Sequence, residues 1–380
     1  MTDPHKPVAA FAMRPDLPGL LFSDDDLAAL SRILDFETAS AAATPSGAAP
    51  TTAFPTITTF PIADSAAASS ASTTTSTSTS PSATFSTASA STASAALASV
   101  EVLITGWGCP PIGRAELNAM PRLSAVIHAA GSVKGHLDDE AWDRGIRVTS
   151  AASANAYPVA EYTLAMILLA GKRVPDYIRR YAVDPALYDE SPDPSIGNFG
   201  RTVGIVGASR VGRRVIELLR PFDVQVLLYD PHLAAGDPVL ADARRVELDE
   251  LFALSSIVSI HAPLLPETVG MVGAKQLALL PDGATVINTA RAPILDQDAL
   301  AVAVRDRGLR AILDVTDPEP LPSGHQLREL DGVVLTPHVA GALGTELRRL
   351  GTCARREAEL FVAGAPAAFP VTKEALIAVA

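Results

Sequence analysis

The sequence predicts an α/β protein of two domains, each a parallel sheet with helices wound over both faces. Three observations predict it. The chain has 380 residues, more than one core usually serves, and 48% of them are hydrophobic, ample for burying two. Short apolar runs alternate with helical patterns along most of its length, which is how parallel sheets are built. Runs this apolar have no face to show to water, so a sheet made of them must be covered on two sides.

In chain order, Val8 to Met13 reads as a strand, and Ser23 caps a helix carried by Leu27, Leu30 and Leu34. Composition then shifts abruptly near Ala39. From Ala63 to Ser99 every residue except Asp64, Pro81, Phe85 and Leu97 is Ala, Ser or Thr. Burial of so little apolar surface cannot offset the entropy of ordering, so 39–99 is expected to be a flexible insertion interrupting a folded domain. A phosphorylation platform is the alternative, with no charged motif beside the hydroxyls to favour it. Beyond it come strands at Val100 to Thr105, Ser124 to His128 and Ile146 to Thr149, and a helix around Arg114 to Met120.

A long helical pattern runs from Asn155 to Lys172, followed by an irregular Pro-rich segment to Phe199. Regular alternation then sets in, with strands at Thr202 to Val206, Gln225 to Tyr229, Ile257 to Ile260, Ala284 to Asn288, Arg310 to Asp314 and Val333 to Leu335. Helices are expected at Val211 to Leu219, Lys275 to Leu280 and Asp298 to Arg307. A last helix, Glu346 to Phe361, is expected to return to the first domain, which makes that domain discontinuous: 1–154 and 342–380, with 155–341 inserted.

Charge and composition exclude several functions. The formal net charge is -12 and no dense Lys/Arg cluster exists, so no nucleic-acid surface is expected. The longest apolar segment, Leu164 to Ala170, is too short to span a bilayer. Two cysteines, Cys109 and Cys353, cannot build a framework of several bridges, and the start MTDPHKP lacks a basic region followed by an apolar core. A cytoplasmic enzyme with no metal and no membrane contact is the expectation.

The first strand of the regular alternation ends in Gly207-Ala208-Ser209-Arg210-Val211-Gly212, a G-x-G-x-x-G pattern with Ser209 at the middle glycine. The first glycine allows the tight turn, the last lets helix and strand approach, and the helix N-terminus offers N–H groups to a pyrophosphate. Ser209 adds a small side chain that could crowd a ligand or donate to it. Alone the motif is weak, since any strand-to-helix turn needs glycine. Asp230 strengthens it, because a carboxylate about twenty residues on accepts from ribose hydroxyls and repels a 2′-phosphate. NAD rather than NADP is expected.

Arg291, Glu319 and His338 each lie just past a short apolar run, and ligands bind at the carboxyl ends of parallel strands. Arg291 could grip a carboxylate or be a surface arginine paired with Asp296 or Asp298. His338 could donate a proton near neutral pH or be structural after Pro337. Glu319 could orient the imidazole or be a solvated turn carboxylate. Cys109 reads as a lining side chain and not a nucleophile.

These residues carry a resemblance. From about Val100 onward the chain resembles the D-isomer-specific 2-hydroxyacid dehydrogenases: Asn288-Thr289-Ala290-Arg291-Ala292-Pro293-Ile294-Leu295-Asp296 is similar to the family's arginine signature, Leu313-Asp314-Val315 through Pro318-Glu319-Pro320-Leu321-Pro322 to its glutamate signature, and Thr336-Pro337-His338-Val339-Ala340-Gly341 to its histidine signature. It implies a Rossmann cofactor domain inserted in a flavodoxin-like substrate domain, with cleft closure excluding water. His338 would protonate the keto oxygen, Glu319 hold His338, and Arg291 bind the substrate carboxylate. Nucleotide contacts would come from Gly207, Ser209, Arg210, Val211, Gly212, Asp230, Pro263, Thr268, Thr289, Ala290, Arg291, His338 and Gly341, with Asp314 holding the carboxamide.

The resemblance further implies that Ala130-Gly131-Ser132-Val133 receives the substrate carboxylate on backbone N–H groups, beside Trp107. It places a hinge-forming helix at Asn155 to Lys172 and a homodimer arm in the segment to Phe199. Ser209 and Ala292 depart from common glycines, and Val133 stands where a second glycine is frequent. The family's phosphoglycerate-specific members tend to have an arginine near Trp107-Gly108-Cys109, where this chain offers an apolar or sulfur-bearing wall, so an unphosphorylated substrate is expected, with Lys134 a candidate anion contact. The expected reaction is NAD(H)-dependent reduction of a small 2-keto acid, glyoxylate- or hydroxypyruvate-like or larger. The rival is an NADH-sensing binding protein like the corepressors that resemble this family. Phosphoglycerate and formate dehydrogenases rank below these, the latter because that branch pairs its histidine with Gln.

Overall fold

The computed structural model describes residues 6–36, 96–184, 186 and 196–378. The expected flexible insertion falls almost wholly outside the described residues, as does much of the segment leading to Phe199. The chain divides into two compact units, Met1–Ala151 with Leu347–Lys373 and Ala152–Glu346 with Glu374–Ala380. The division falls at 151 and 347, and the last residues group with the second unit.

Among its described residues the first unit holds four parallel strands in the order β1 (Ala9–Ala12), β2 (Val102–Thr105), β3 (Ala125–His128) and β4 (Arg147–Ser150). Phe11 pairs with Ile104, Ile104 with Ile127 and Ile127 with Thr149, so the strands end level with one another. Nearly every strand residue is buried, as a two-sided sheet requires. Phe11 stacks on Phe36 at 5.0 Å and meets Phe22 at 5.6 Å between ring centres. The helix Asp24–Ile33 starts at a capping box in which Asp26 N–H donates to Ser23 Oγ and Ser23 N–H to Asp26 Oδ2. The helix Leu347–Val362 belongs here because Leu347, Leu350, Cys353, Ala354 and Ala358, at helical spacing, are all buried.

Among its described residues the second unit has the strands β5 (Arg201–Val206), β6 (Val224–Tyr229), β7 (Arg244–Arg245), β8 (Ile257–Ile260), β9 (Thr285–Asn288), β10 (Arg310–Leu313) and β11 (Val333–Leu335). They form one parallel sheet in the order β11-β10-β9-β8-β5-β6-β7. Order reverses between β5 and β8, so this edge is a topological switch point. The register aligns Tyr229, Val206, Ile260, Asn288, Leu313 and Leu335 across the sheet. The residues that follow them therefore line one edge. Apolar clusters built around Val206, Val258 and Val286 on one face and Val203, Ile205 and Ile287 on the other form the core.

The structure corrects two expectations and adds two elements. The segment after Lys172 is not wholly irregular: Val174–Val183 is a helix with Pro175 in its first turn, where proline's missing N–H costs no bond. The preceding helix spans Ala152–Gly171, starting ahead of Asn155, whose side chain instead accepts from Ala342 N–H at 2.9 Å. A helix at Leu248–Leu254 and the short edge strand β7 went unanticipated, the first too short for clear periodicity and the second only two residues long. No helix among the described residues is long and apolar enough to cross a membrane.

Candidate functional site

The glycine loop leaves β5 at the switch point. Gly207 has φ +101°, and a Cβ there would lie 2.7 Å from Ala262 N. A Cβ on Gly212 would lie 2.1 Å from Gly207 O, so the helix Arg210–Leu219 approaches the strand only because both positions are glycine. Ser209 resolves its own ambiguity. It is the N-cap of that helix, its Oγ accepting from Gly212 N–H at 3.3 Å, which leaves the first-turn N–H groups of Arg210 and Val211 outside the helix's own bonding. Asp230, the residue after β6, accepts from Ala208 N–H at 2.8 Å and His232 N–H at 2.9 Å. Arg213 braces the loop from outside, bonding Ala208 O at 2.8 Å and gripping Asp237 with both NH groups at 2.6 Å.

Further along the same edge, His338 Nδ1 lies 3.0 and 3.2 Å from the two carboxylate oxygens of Glu319. The pair is open to solvent, the side chains 54% and 42% exposed, so a reactant can reach the imidazole. Arg291 is largely buried and donates to Ala290 O at 2.7 Å. Burial lowers its pKa from the ordinary value, and the negative charge of Glu319 acts in the opposite direction. The Asp296 alternative does not hold: that carboxylate caps the helix Gln297–Arg307, accepting from Asp298 and Ala299 N–H. Asp298 bonds Gln326 instead.

The remaining cofactor-side residues have clear local roles. Thr268 Oγ1 donates to Pro263 O at 2.7 Å and accepts from Leu265 N–H, folding the loop after β8. Thr289, directly after β9, bonds Thr163 Oγ1 at 3.1 Å, and Ala290 N–H donates to Asn288 Oδ1. Asp314 is 1% exposed and accepts from Thr336 Oγ1 at 2.6 Å, Val339 N–H at 2.8 Å and Ala340 N–H at 2.9 Å. Its carboxylate is thus engaged with the loop that carries His338. Gly341 sits at the far end of that loop, packed on Asn155.

Trp107, Gly131, Ser132 and Val133 belong to the first unit, past the ends of β2 and β3. Val133 turns its side chain into the core, 1% exposed, and Ser132 Oγ accepts from Lys134 N–H at 3.2 Å. An arginine does lie beside Trp107 and Gly108, a neighbour absent from the sequence reading. Arg14, just past β1, donates its backbone N–H to Trp107 O at 2.9 Å, the stem of its side chain lies against Gly108, and its guanidinium pairs with Asp16 at 3.4 Å. A distant position in sequence hid this neighbour. Burial pushes the Cys109 thiol up to about 12, away from the thiolate form that a nucleophile needs. Two further groups lacked any sequence signal. His128 is buried against Thr105 Oγ1 at 2.7 Å, with the His136 ring 5.1 Å away, and Tyr162 bonds Thr336 at 2.8 Å.

A doubly wound parallel sheet with a glycine loop at its switch point and a carboxylate one strand over defines a dinucleotide-binding protein. Residues 164–340 match the family model described as D-isomer specific 2-hydroxyacid dehydrogenase, NAD binding domain. The chain belongs to this family, being 33% identical over 267 residues to a glyoxylate reductase of Thermofilum pendens, across 68% of this chain and 78% of that protein. A D-3-phosphoglycerate dehydrogenase of Mycobacterium leprae is 32% identical over 249 residues, 65% of this chain and 47% of its own. The chain thus spans about half the length of that relative. A phosphoglycerate oxidoreductase from Rhizobium etli is similar in fold, with a TM-score of 0.70 at 22% identity, covering 97% of this chain and 99% of that one.

Proposed function

We propose that the protein is an NAD(H)-dependent reductase of a small 2-keto acid, forming the D-2-hydroxy acid. The observation that carries this is the His338–Glu319 pair, 3.0 Å apart and solvent-accessible, on the strand edge that also bears Arg291 and the glycine loop. The cradle fits a dinucleotide, because Gly207 and Gly212 leave backbone where any Cβ would collide. Helix-terminal N–H groups of Arg210 and Val211 would hold the pyrophosphate and Asp230 the ribose hydroxyls, disfavouring a 2′-phosphate. When bound, the reduced nicotinamide supplies a hydride to the keto carbon.

The chain's own residues do the rest. Glu319 accepts from His338 Nδ1–H, which fixes the tautomer and stabilises the imidazolium, leaving Nε2 to protonate the keto oxygen. Arg291 binds the substrate carboxylate and polarises the carbonyl beside it. The N–H groups of Gly131, Ser132 and Val133 are proposed as a second carboxylate contact. The helix Val174–Val183, which buries none of its residues and exposes Ile178, Tyr181 and Val183, supports a homodimer.

Steady-state NADH oxidation with glyoxylate, hydroxypyruvate, phosphohydroxypyruvate and larger 2-keto acids identifies the acid reduced. His338→Ala is expected to lower kcat by about a thousandfold or more, since general acid catalysis contributes typically 10²–10⁴, while NADH affinity stays near the parent value. Undiminished turnover in that variant, or NADH binding with no turnover of any acid in the panel, would defeat the proposal.

A further inference from the structure

We propose that Tyr162 and Thr336 are positioning residues for His338: the helix Ala152–Gly171 holds the histidine loop through the chain Tyr162 Oη, Thr336 Oγ1, Asp314 Oδ1, and pins the loop's far end through Asn155. This rests on the reading of His338 as the acid-base group. Proton counting fixes the direction of the chain. The Asp314 carboxylate receives only donors, Val339 N–H at 2.8 Å, Ala340 N–H at 2.9 Å and the Thr336 hydroxyl at 2.6 Å. Thr336 has a single hydroxyl proton, spent on Asp314, so its Oγ1 must accept from Tyr162 O–H at 2.8 Å.

The loop has need of such restraint. His338 is a non-glycine residue at φ +55°, a left-handed conformation that persists only where surroundings impose it. Its N–H is shared between Asp314 O and Thr336 O, both at 3.0 Å, so two of the three residues in the chain also set the histidine's backbone. Beyond it, Asn155 Oδ1 accepts from Ala342 N–H at 2.9 Å. Asn155 and Tyr162 are seven residues apart, two helical turns, and so lie on one face of the helix. One helix thereby grips both ends of the loop. The imidazole must stay within hydrogen-bond reach of Glu319 while presenting its other nitrogen, and small misplacements of a catalytic group are costly in rate.

Hydrogen exchange of the 336–342 amides in the full-length protein, measured without cofactor, tests the clamp without reference to turnover. A neutral hydrogen bond is worth about two- to tenfold and one to a charged group about ten- to a hundredfold. Tyr162→Phe is therefore expected to speed loop exchange by about threefold and Thr336→Val by about tenfold or more. Thr336→Ser is expected to restore the parent rate, because it keeps the hydroxyl. With glyoxylate and NADH, kcat should fall in the same order with KM for glyoxylate within about twofold. Unchanged exchange in both Tyr162→Phe and Thr336→Val overturns the proposal, as does a Thr336→Ser variant as impaired as Thr336→Val, since packing and not the hydroxyl would then be responsible. Altered exchange alongside a fully active His338→Ala would sustain the clamp and remove the catalytic reading instead.

Discussion

At the scale of single residues, geometry separates side chains that sequence leaves ambiguous. Glu319 and His338 each had a bland explanation, and what joins them is a 3.0 Å contact across nineteen positions. Ser209, a departure from the glycine pattern, caps the helix that the pattern requires. Asp230 carries the cofactor preference in this reading. Its carboxylate is held in place by the N–H groups of Ala208 and His232, so an approaching 2′-phosphate would meet an oriented negative charge. Asp230→Ala should lower the ratio of NADH to NADPH kcat/KM by about tenfold or more, as loss of a charge-assisted hydrogen bond and of the repulsion would predict. A native protein that prefers NADPH would refute the role given to Asp230.

At the scale of elements, the sheet's register does the assembling. Strands β5, β6, β8, β9, β10 and β11 end level, so Gly207, Asp230, Thr289, Asp314 and Thr336 follow one another along a single edge. Each of these six strands was legible in the sequence within about one residue, because buried strands are continuous apolar runs whose ends are marked by polar or glycine residues. The helix Val174–Val183 was not legible, its proline reading as a breaker when it stands in a first turn. Where β5 meets the helix Arg210–Leu219, space is the limiting quantity. Gly212→Ala would place a methyl 2.1 Å from Gly207 O, so that turn must open. Expected outcomes are a fall in thermal midpoint and weakening of NADH binding by about tenfold or more, read by calorimetry and fluorescence titration, since backbone clashes are among the few changes that cost several kcal/mol. Parent-like values in both would show that the loop is more tolerant than its geometry.

At the scale of the whole molecule, two buried histidines make stability depend on pH. His128 in the first unit and His261 in the second both have pKa values lowered by burial to about 3, from 6.5. Unfolded chains take up these protons below about pH 6.5, whereas the folded state takes them up only near 3. Stability is therefore complete above about pH 6.5 and is lost progressively as pH falls toward 3, by about 1.4 kcal/mol per pH unit for each histidine at most. Urea unfolding at pH 7.5 and 5.5 should show the loss, and His128→Asn and His261→Asn should each flatten it. A pH-independent midpoint over that interval would contradict the burial of neutral imidazoles.

The sequence by itself determined the class of fold, the glycine loop with its acidic partner, and the three signatures that carry Arg291, Glu319 and His338. Those features are local: apolar period, turn chemistry and short motifs are written in consecutive residues. Only the tertiary structure decided which groups share a neighbourhood. Arg14 came to lie against Trp107, Asp314 turned its carboxylate into the histidine loop, and Asn155 and Tyr162 on one helix face came to hold that loop at both ends. Such pairs are separated by 22 to 187 positions where they are hydrogen-bonded through side chains. Nothing in a local pattern encodes them, because their meeting depends on strand order and register, which are settled by the packing of the whole sheet.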